Sequence, residues 1–534
     1  MKNRAKINRL VSAFLLLVGL VLPECTAYNL LVLSPITTPS HSNFFKPVVK
    51  ALVDRGHTIT YYNGLHQKQA ETTNNHTTSF RVLGSPSLHK ISTDHQVDFN
   101  IRDKPMKFLA ELPEKMENYC TTIYTDPAFH QLLNSNEKFD LIIIEGYLND
   151  CSLPLVAILD VPFIYMNGVA PIPWLLNAIG SPLALDHFPN PVFSFKDEMD
   201  FWQRTVNSVS SLMGVYLRHL FVMPVVDRIA HKMLKRNLPT IAEIEHRYLS
   251  LLIVNTHSSI NYQLPTSPAV IQAGGLHCVP SKPLPRHLES FVDGSGDAGF
   301  IIVSFGSVLK GADMPTNFRR IFLSTFDRLP QRVLWKWEDQ SGTNNDSSIP
   351  PNVKLISWMP QQDLLGHPKI RLFITHGGLF SNQEAVYHGV PFIVMPVFAD
   401  QPINAQKAHD DGYAIRIDLD NLTEEILYDA IQRLLTNSSY REKMRKVSSL
   451  MRDQMESPLE RAVYWIEYVI RHDGAPHLRT TSHKLSFIQR NLFDVLMFVF
   501  TLTFFFLFLV FYICRYYIFS RGGVRIISDQ KKTN

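Results

Sequence analysis

The sequence predicts an α/β protein with two doubly wound parallel sheets, and two observations lead to that class. Continuously apolar runs of strand length alternate with helix-like segments. Continuous rather than alternating apolarity indicates strands covered on both faces. Alternation with helices indicates parallel strands joined by crossover helices. The runs are residues 30–33, 141–145, 162–166 and 251–255 in the first half, and 300–305, 332–335, 353–357, 372–375 and 392–396 in the second.

A linker separates the two groups of runs. Residues 280–299 are rich in proline, glycine and serine, which is typical of an interdomain connection. We therefore predict two Rossmann-like domains that face each other across a cleft, at residues 28–279 and 300–490. Ligands of such sheets bind beyond the carboxyl ends of the strands. The G-x-G-x-x-G match at 294–299 precedes a strand instead of following one, so we assign it to the linker.

Both ends of the chain carry targeting features. Residues 1–27 combine basic side chains, a short apolar run and a small-residue cleavage motif, the pattern of a secretory signal peptide. A second apolar run begins at Val495 and ends at Cys514. At about 1.5 Å per residue it is about 30 Å long, the thickness of one bilayer core. We predict a transmembrane helix at 491–514, through which the protein contacts membrane lipid.

The tail at 515–534 is basic and ends in Lys-Lys-Thr-Asn. A basic flank belongs on the cytoplasmic side of a membrane, so the body of the protein lies in the lumen. The ending resembles the dilysine retrieval signal of endoplasmic reticulum membrane proteins. We predict a single-pass type I protein of that membrane, with lumenal domains and a cytosolic tail. Four patterns are then available for N-glycosylation: Asn75, Asn345, Asn421 and Asn437.

Composition argues against several other classes. A net charge of +4 over 534 residues, with no basic stripe, gives no support for a nucleic-acid partner. Only Cys120, Cys151 and Cys278 lie between the apolar ends, and this sparse set predicts neither a disulfide framework nor a zinc site. The D-x-D pattern at 418–420 precedes an acidic helix start, where turn chemistry explains it. We predict no metal.

A strand–His-Gly-Gly–helix junction follows the run at 372–375. Gly377 and Gly378 let the backbone turn sharply and approach a ligand closely. The helix that follows points free N–H groups and its positive dipole end back at the turn. Together these features suit an anion such as a phosphate or diphosphate. His376 adds a hydrogen bond and Ser381 a hydroxyl.

Residues around this junction suit the rest of a nucleotide sugar. Trp358 offers a flat face for a base, and Gln361 offers hydrogen bonds to a ribose. Glu384, eight residues after the histidine, can accept both ribose hydroxyls. Asp400 and Gln401, after the next strand, suit sugar hydroxyls. The order of these residues lines up base, ribose, diphosphate and sugar in one cleft.

These motifs resemble those of the membrane-bound animal UDP-glycosyltransferases, the UDP-glucosyl and UDP-glucuronosyltransferase family, in an arthropod-like form. The resemblance includes GGLHCVPSKPLP at 274–285, VSFGS at 303–307 and the signature at 358–401. It implies a GT-B fold, with an acceptor-binding N-terminal domain and a C-terminal domain that binds a UDP-sugar co-substrate. It also implies inverting transfer without a metal or other cofactor. By position, Ser307 joins His376 and Ser381 at the diphosphate.

One position departs from the family pattern. Many relatives have Asn four residues after the signature histidine, where this chain has Phe380. That difference puts the sugar contact in question. The arthropod-like form favours UDP-glucose as the donor, with UDP-glucuronic acid as the alternative.

The family's general base is a histidine after the first strand, and His41 occupies that place in a loop before a helix. An imidazole with a pKa near 6.5 can remove a proton from an acceptor hydroxyl as it attacks the anomeric carbon. The resulting imidazolium needs a carboxylate partner. Asp150 and Glu145 are both candidates. Aspartate is the usual residue type, which slightly favours Asp150, and Glu145 remains open.

We therefore expect transfer of a hexose from a UDP-sugar to a hydroxyl of a small lipophilic acceptor, as in detoxification or conjugation. A non-catalytic protein that binds lipophilic ligands on the same fold is the alternative. The segment Phe201–Leu234 mixes large apolar residues with Arg and Lys. A core helix is its favoured interpretation, and an acceptor-pocket lining or a membrane contact are the others. The acceptor and any homo- or hetero-oligomer are not specified by the sequence.

Overall fold

A computed structural model describes residues 27–66, 71–75, 78–93, 105–339 and 348–530. The predicted signal peptide, apart from residue 27, lies outside these ranges, as do Asn345 and the Lys-Lys-Thr-Asn ending. The chain falls into two compact units, Met1–Arg479 and Thr480–Asn534. Each unit is described by itself.

The first unit contains two sheets, as the sequence predicts. The larger sheet has eight strands: β1 (Asn29–Ser34), β2 (Thr58–Asn63), β3 (Glu71–Asn75), β4 (Thr78–Leu83), β5 (Leu141–Glu145), β6 (Phe163–Asn167), β7 (Leu249–Val254) and β8 (Val270–Gln272). Their spatial order is β3-β4-β2-β1-β5-β6-β7-β8, and within the described chain only the β3–β4 pair is antiparallel. Strand order therefore reverses between β1 and β5.

The smaller sheet has six parallel strands: β9 (Phe300–Ser304), β10 (Arg332–Lys336), β11 (Val353–Ile356), β12 (Ile370–Thr375), β13 (Phe392–Val394) and β14 (Ala414–Arg416). Their order, β11-β10-β9-β12-β13-β14, is that of a dinucleotide-binding fold. Residues of β9 alternate between two apolar clusters, with Ile301 and Val303 in one and Phe300 and Ile302 in the other. Both faces of this sheet are therefore buried, which explains why its strands are continuously apolar.

Helices connect the strands of the first unit. They are α1 (Pro39–Asp54), α2 (Pro86–Thr93), α3 (Pro105–Thr125), α4 (Pro127–Leu133), α5 (Leu153–Leu159), α6 (Pro173–Ile179), α7 (Phe201–Leu217), α8 (Met223–Leu234), α9 (Ile241–Tyr248), α10 (Arg286–Asp293), α11 (Thr316–Asp327), α12 (Gln361–Leu365), α13 (Leu379–His388), α14 (Gln401–Asp410), α15 (Glu424–Thr436), α16 (Ser438–Arg452) and α17 (Pro458–Arg471).

The last helix, α17, follows the second domain along the chain but packs on the larger sheet, which belongs to the first domain. Its buried face places Val463 and Ile466 in the apolar core of the larger sheet. Glu467 lies 3.1 Å from Nε2 of His57, just before β2. The sequence-based division assigned this helix to the second domain, at 300–490, because it follows that domain along the chain. Burial of its apolar stripe, and not chain order, decides where it docks.

Cys120 and Cys151 form a disulfide between α3 and the turn after β5. This corrects the expectation that the few cysteines of the body form no framework. The two residues are 31 positions apart, and their count and spacing gave no signal of pairing. Cys278 is a free thiol.

The second unit consists of a short helix, α18 (Phe487–Arg490), and a long one, α19 (Phe493–Gln530), besides a one-turn segment. Within the long helix, Phe493–Phe519 is long and apolar enough to cross a membrane, by length and composition. Its apolar side chains are exposed. It contains the predicted run at 495–514 and fits a transmembrane helix. Among the described residues, only Phe201–Leu234 passes the same test.

Candidate active site

The larger sheet brings two predicted residues together where its strand order reverses. His41 follows β1, and Glu145 is the last residue of β5. His41 belongs to the first turn of α1, whereas the sequence indicated a loop before the helix. Parallel strands place both residues at the same edge of the sheet. This edge is where a ligand of a doubly wound sheet is expected.

His41 and Glu145 are in direct contact. Nδ1 of the imidazole is paired with Oε1 of the carboxylate, and both side chains are buried. Burial by itself lowers the pKa of His41, but the Glu145 carboxylate outweighs it, so the pKa is raised above its ordinary value. Because Nδ1 is occupied by the carboxylate, Nε2 is the nitrogen left to exchange a proton.

Asp150 has a different partner. Its Oδ1 accepts hydrogen bonds from Nε and Nη2 of Arg218, at 2.9 and 2.5 Å. Arg218 also donates to Oε1 of Glu245 at 2.7 Å, and that atom accepts a hydrogen bond from Tyr165. The contacts therefore do not support the slight preference for Asp150 as the partner of His41. The turn that follows β5 directs Asp150 toward α7 and α8 and away from the histidine.

Asn149 was not selected from the sequence. Its amide accepts from the backbone N–H of Ile36 and donates to the Ile36 carbonyl, both at 2.9 Å. The side chain is buried. It therefore ties the segment before His41 to the turn after Glu145. The signal in the sequence was an amide, with one donor and one acceptor group, directly before Asp150.

The smaller sheet places the His-Gly-Gly junction where its own strand order reverses, between β9 and β12. The ring of His376 lies between two glycines. A Cβ on Gly306 would lie 2.7 Å from its Cε1, and a Cβ on Gly378 would lie 2.6 Å from its Nε2. Gly377 has a φ of +87°, which favours glycine. Only glycine fits at these three positions.

Electrostatics around His376 suit a negatively charged ligand. Burial, assisted by the Lys336 ammonium, lowers the pKa of His376 to about 3, so the ring is neutral at physiological pH. Nζ of Lys336 donates to the carbonyl of Gly306 at 2.5 Å. The hydroxyl of Ser307 is buried and has no hydrogen-bond partner among the described residues. Lys336 was missed in the sequence; its signal was a cation at the end of a buried strand.

α13 begins directly after these glycines. Its N-cap is Gly378. Because glycine has no side chain, this residue provides no side-chain acceptor for the first N–H groups of the helix. Glu384 and Ser381 on this helix both accept hydrogen bonds from Nε2 of Gln361, at 2.6 and 3.1 Å. Burial raises the pKa of Glu384 to about 7, against the opposing effect of the Gln361 hydrogen bond. Trp358, after β11, is 79% exposed and offers its ring to a ligand.

Asp400 is the N-cap of α14 and Gln401 is its first residue, after β13. Oδ2 of Asp400 accepts from the amide of Asn404 at 3.1 Å, and the same amide donates to the carbonyl of Gly377. Burial raises the pKa of Asp400 above its ordinary value, against the opposing effects of the Asn404 hydrogen bond and the charge of His41. Gln401 uses its side-chain oxygen to accept two backbone N–H groups of the preceding turn, so only its NH₂ group remains for a ligand.

Phe380 lies where the two domains meet. Its ring centroid is 6.3 Å from that of His41 and 5.0 Å from that of His277. A Cβ on Gly168, from the first domain, would lie 3.2 Å from its Cζ. The one residue that departs from the family pattern therefore borders the histidine of the other domain. Both groups of predicted residues share one cleft.

Two facing doubly wound domains, with polar residues at both switch points, define a GT-B glycosyltransferase fold. Two solved structures are similar to the chain. The glycotransferase of kitacinnamycin has a TM-score of 0.54, covering 83% of this chain and 100% of that one at 16% identity. CalG4, the calicheamicin glycosyltransferase, has a TM-score of 0.53, covering 84% and 100% at 18% identity.

A family model described as "UDP-glucoronosyl and UDP-glucosyl transferase" matches residues 30–525. UDP-glycosyltransferase UGT5 of Dactylopius coccus is 32% identical over 484 residues, 89% of each chain. UDP-glucuronosyltransferase 2B10 of Homo sapiens is 30% identical over 468 residues, 85% of this chain and 87% of that one. The 2-hydroxyacylsphingosine 1-beta-galactosyltransferase of Rattus norvegicus is 32% identical over 479 residues, 88% and 85%. The chain belongs to the UDP-glycosyltransferase family and is an enzyme of that class.

Proposed function

We propose that the protein transfers glucose from UDP-glucose to a hydroxyl of a small lipophilic acceptor, with inversion, and that His41 is the general base. The contact between His41 and Glu145 at the first switch point carries this proposal. The acceptor oxygen attacks the anomeric carbon and its proton passes to Nε2 of His41. The bond from that carbon to the diphosphate breaks, and UDP leaves with the electron pair. Glu145 stabilises the imidazolium that forms.

The diphosphate is held in this proposal by the junction around His376. The uncapped N–H groups of α13, the neutral ring of His376 and the free hydroxyl of Ser307 donate hydrogen bonds to it. Lys336 supplies positive charge. These groups offset the charge of the leaving UDP without a metal. Asp418 of the D-x-D pattern is paired with Arg416 at 2.8 Å, which supports turn chemistry there.

The proposed preference for UDP-glucose rests on the charge of the residues expected to contact the sugar. Asp400 is acidic, and Phe380 is apolar. Neither offers a cation to the carboxylate of UDP-glucuronic acid, whereas Asp400 and the NH₂ group of Gln401 suit neutral hydroxyls. This supports UDP-glucose over UDP-glucuronic acid.

The test is an assay of UDP release by the full-length protein in microsomes, with a phenolic acceptor and each donor in turn. Turnover that requires UDP-glucose and acceptor together supports the proposal. Turnover with UDP-glucuronic acid alone overturns the donor assignment. Absence of turnover across a panel of donors and acceptors would favour the alternative, a non-catalytic protein that binds lipophilic ligands.

Trp358→Ala is expected to raise the KM for the UDP-sugar. Stacking of a base on an aromatic ring is worth about 1–3 kcal/mol, which corresponds to a rise of about 5- to 150-fold. The kcat should change little, because the base takes no part in the chemistry. The matched control is Trp202→Ala, which removes another tryptophan that is 73% exposed. The donor KM of this control should stay at the wild-type value; an equal rise in both variants would contradict the placement of the base.

The kcat/KM is expected to fall as pH drops through the raised pKa of His41, because the protonated ring cannot accept the acceptor's proton. Glu145→Gln removes the carboxylate that raises this pKa and leaves the lowering effect of burial. The acidic limb of the pH profile should therefore move to lower pH, with a lower plateau. Asp150→Asn should keep the wild-type limb, since Asp150 contacts Arg218. The reverse pattern in the two profiles would reassign the partner.

For localisation we propose a single-pass type I protein of the endoplasmic reticulum membrane, with lumenal domains and a cytosolic tail. The apolar helix Phe493–Phe519 and the basic residues after it support this arrangement. Asn421 and Asn437 are exposed and available to lumenal glycosylation. Sensitivity to endoglycosidase H that is lost when all four acceptor asparagines are replaced by Gln would support a lumenal body; a chain without glycans would argue against it.

A further inference from the structure

The turn after β5, at residues 146–151, holds its backbone in an unusual conformation. Leu148 has a φ of +60°, in the left-handed region that favours glycine. Such a conformation is unfavourable for a residue with a side chain, persists only where the surrounding structure holds it, and clusters at functional sites. Leu148 is buried, and Cys151 at the end of the turn is joined to α3 by its disulfide with Cys120. The turn is therefore a fixed part of the protein.

Asn149 is the side chain that closes this turn. Its Nδ2 donates to the carbonyl of Tyr147 at 2.7 Å, across Leu148, and to the carbonyl of Ile36 at 2.9 Å. Its Oδ1 accepts from the backbone N–H of Ile36 at 2.9 Å. The residue is 2% exposed. One amide thus joins the turn to itself and to the segment after β1, which requires a donor and an acceptor in one short side chain.

These hydrogen bonds extend a connection that the sheet itself does not provide. Strands β1 and β5 pair side by side only as far as Leu33 and Ile144. The segments that follow are 35–42 and 145–150. In the described part of the chain, the hydrogen bonds between these segments are those of Asn149 and the contact between the histidine and the glutamate.

Ile36 connects Asn149 to the start of α1. It stands two residues before Thr38, whose hydroxyl accepts from the backbone N–H of His41 at 3.3 Å and so caps the helix. We propose that Asn149 is a positioning residue for the transfer reaction. It fixes the chain ahead of His41 against the turn that follows Glu145, and so keeps the imidazole on its carboxylate. This inference rests on the proposed function, in which that pair removes the acceptor's proton.

The test compares Asn149→Leu, which has nearly the same shape and makes none of these hydrogen bonds, with the wild-type full-length protein in detergent. UDP release is measured with UDP-glucose and a phenolic acceptor, and folded molecules are counted by titration with UDP. The kcat should fall by about 10- to 100-fold, because a misplacement of about 1 Å can cost that much. The KM for UDP-glucose should stay unchanged. The acidic limb of the pH profile should move to lower pH, as expected for Glu145→Gln, because the carboxylate no longer meets the ring.

A double variant shows whether Asn149 acts through the pair. In the Glu145→Gln background, Asn149→Leu should lower kcat no further, since residues of one network are not additive. Asn352→Leu is the matched control, because this amide donates to three backbone carbonyls on the amino side of β11, in the other domain. It should lower the unfolding temperature and keep the wild-type kcat and acidic limb.

Wild-type kcat and pH profile in Asn149→Leu, with activity lost in His41→Ala, would overturn the inference and leave the proposed function standing. An undiminished loss in the Glu145→Gln background would also overturn it, because Asn149 would then act apart from the pair. Wild-type activity of His41→Ala would overturn the proposed function, and the inference with it. If Asn149→Leu does not fold, Asn149→Ser, which removes the amide without adding volume, is held to the same outcomes.

Discussion

His41→Ala should lower kcat/KM by about 10²- to 10⁴-fold, the usual contribution of a general base. Without the imidazole, the acceptor hydroxyl must lose its proton to water while it attacks the donor. The proposed donor site lies around His376 in the other domain, so affinity for the UDP-sugar should change little. Initial rates of UDP release at saturating donor, together with calorimetric titration of UDP, measure the two effects separately.

The matched control for this prediction is a second buried histidine of the same sheet. His57 is also paired with a glutamate, Glu467, but lies at the amino ends of the strands. His57→Gln should retain near wild-type kcat/KM per folded molecule. If His41→Ala stayed within a few-fold of wild type while His57→Gln lost activity, the catalytic assignment would be wrong.

Arg218→Met should have the largest effect on stability. Arg218 is buried and paired with two carboxylates, Asp150 at 2.5 Å and Glu245 at 2.7 Å. Removing the cation leaves both acids in a protein interior without a partner. Breaking a buried ion pair in this way costs about 3–5 kcal/mol. Thermal unfolding of the full-length protein in detergent should show a midpoint several degrees below that of the wild type.

Two further variants separate stability from catalysis. Asp150→Asn keeps a hydrogen-bond acceptor for Arg218, so it should unfold at a moderately lower temperature and remain active per folded molecule. Glu145→Gln should unfold near the wild-type temperature and lose activity. A midpoint for Arg218→Met equal to that of the wild type would mean that the cluster contributes nothing to the fold.

The proposed donor half of the site could be assembled from the sequence because its residues lie close together there. The segment from Trp358 to Gln401 contains strand ends and helix starts in regular order, so strand topology alone brings them to one edge. The pairing of His41 with Glu145 spans 104 residues. Glu145 ends β5 and Asp150 lies in the turn after it, and the sequence does not show which of the two carboxylates faces His41. Which one does so depends on Arg218 and Asn149, whose contacts no local pattern reveals.

Sequence patterns also could not predict the surface on which each helix packs. The helix at Pro458–Arg471 has a clear apolar stripe, but an apolar stripe does not indicate which surface the helix packs against. The stretch Phe201–Leu234 shows the opposite problem. Its second helix, Met223–Leu234, buries an apolar face as a core helix does. Its first helix, Phe201–Leu217, buries Asn207 and Ser211, and only the hydrogen bonds of Asn207 reveal this.

Phe380 has a consequence for protein engineering. It belongs to the domain whose residues suit the UDP-sugar, yet its ring lies 6.3 Å from the ring of His41 in the other domain. A chimera that takes its second domain from a relative with a polar residue at this position would replace one wall around the histidine. Under the proposed mechanism, such domain exchange would alter the environment in which the acceptor is deprotonated as well as the sugar that is transferred. The two halves of this enzyme are therefore not independent modules.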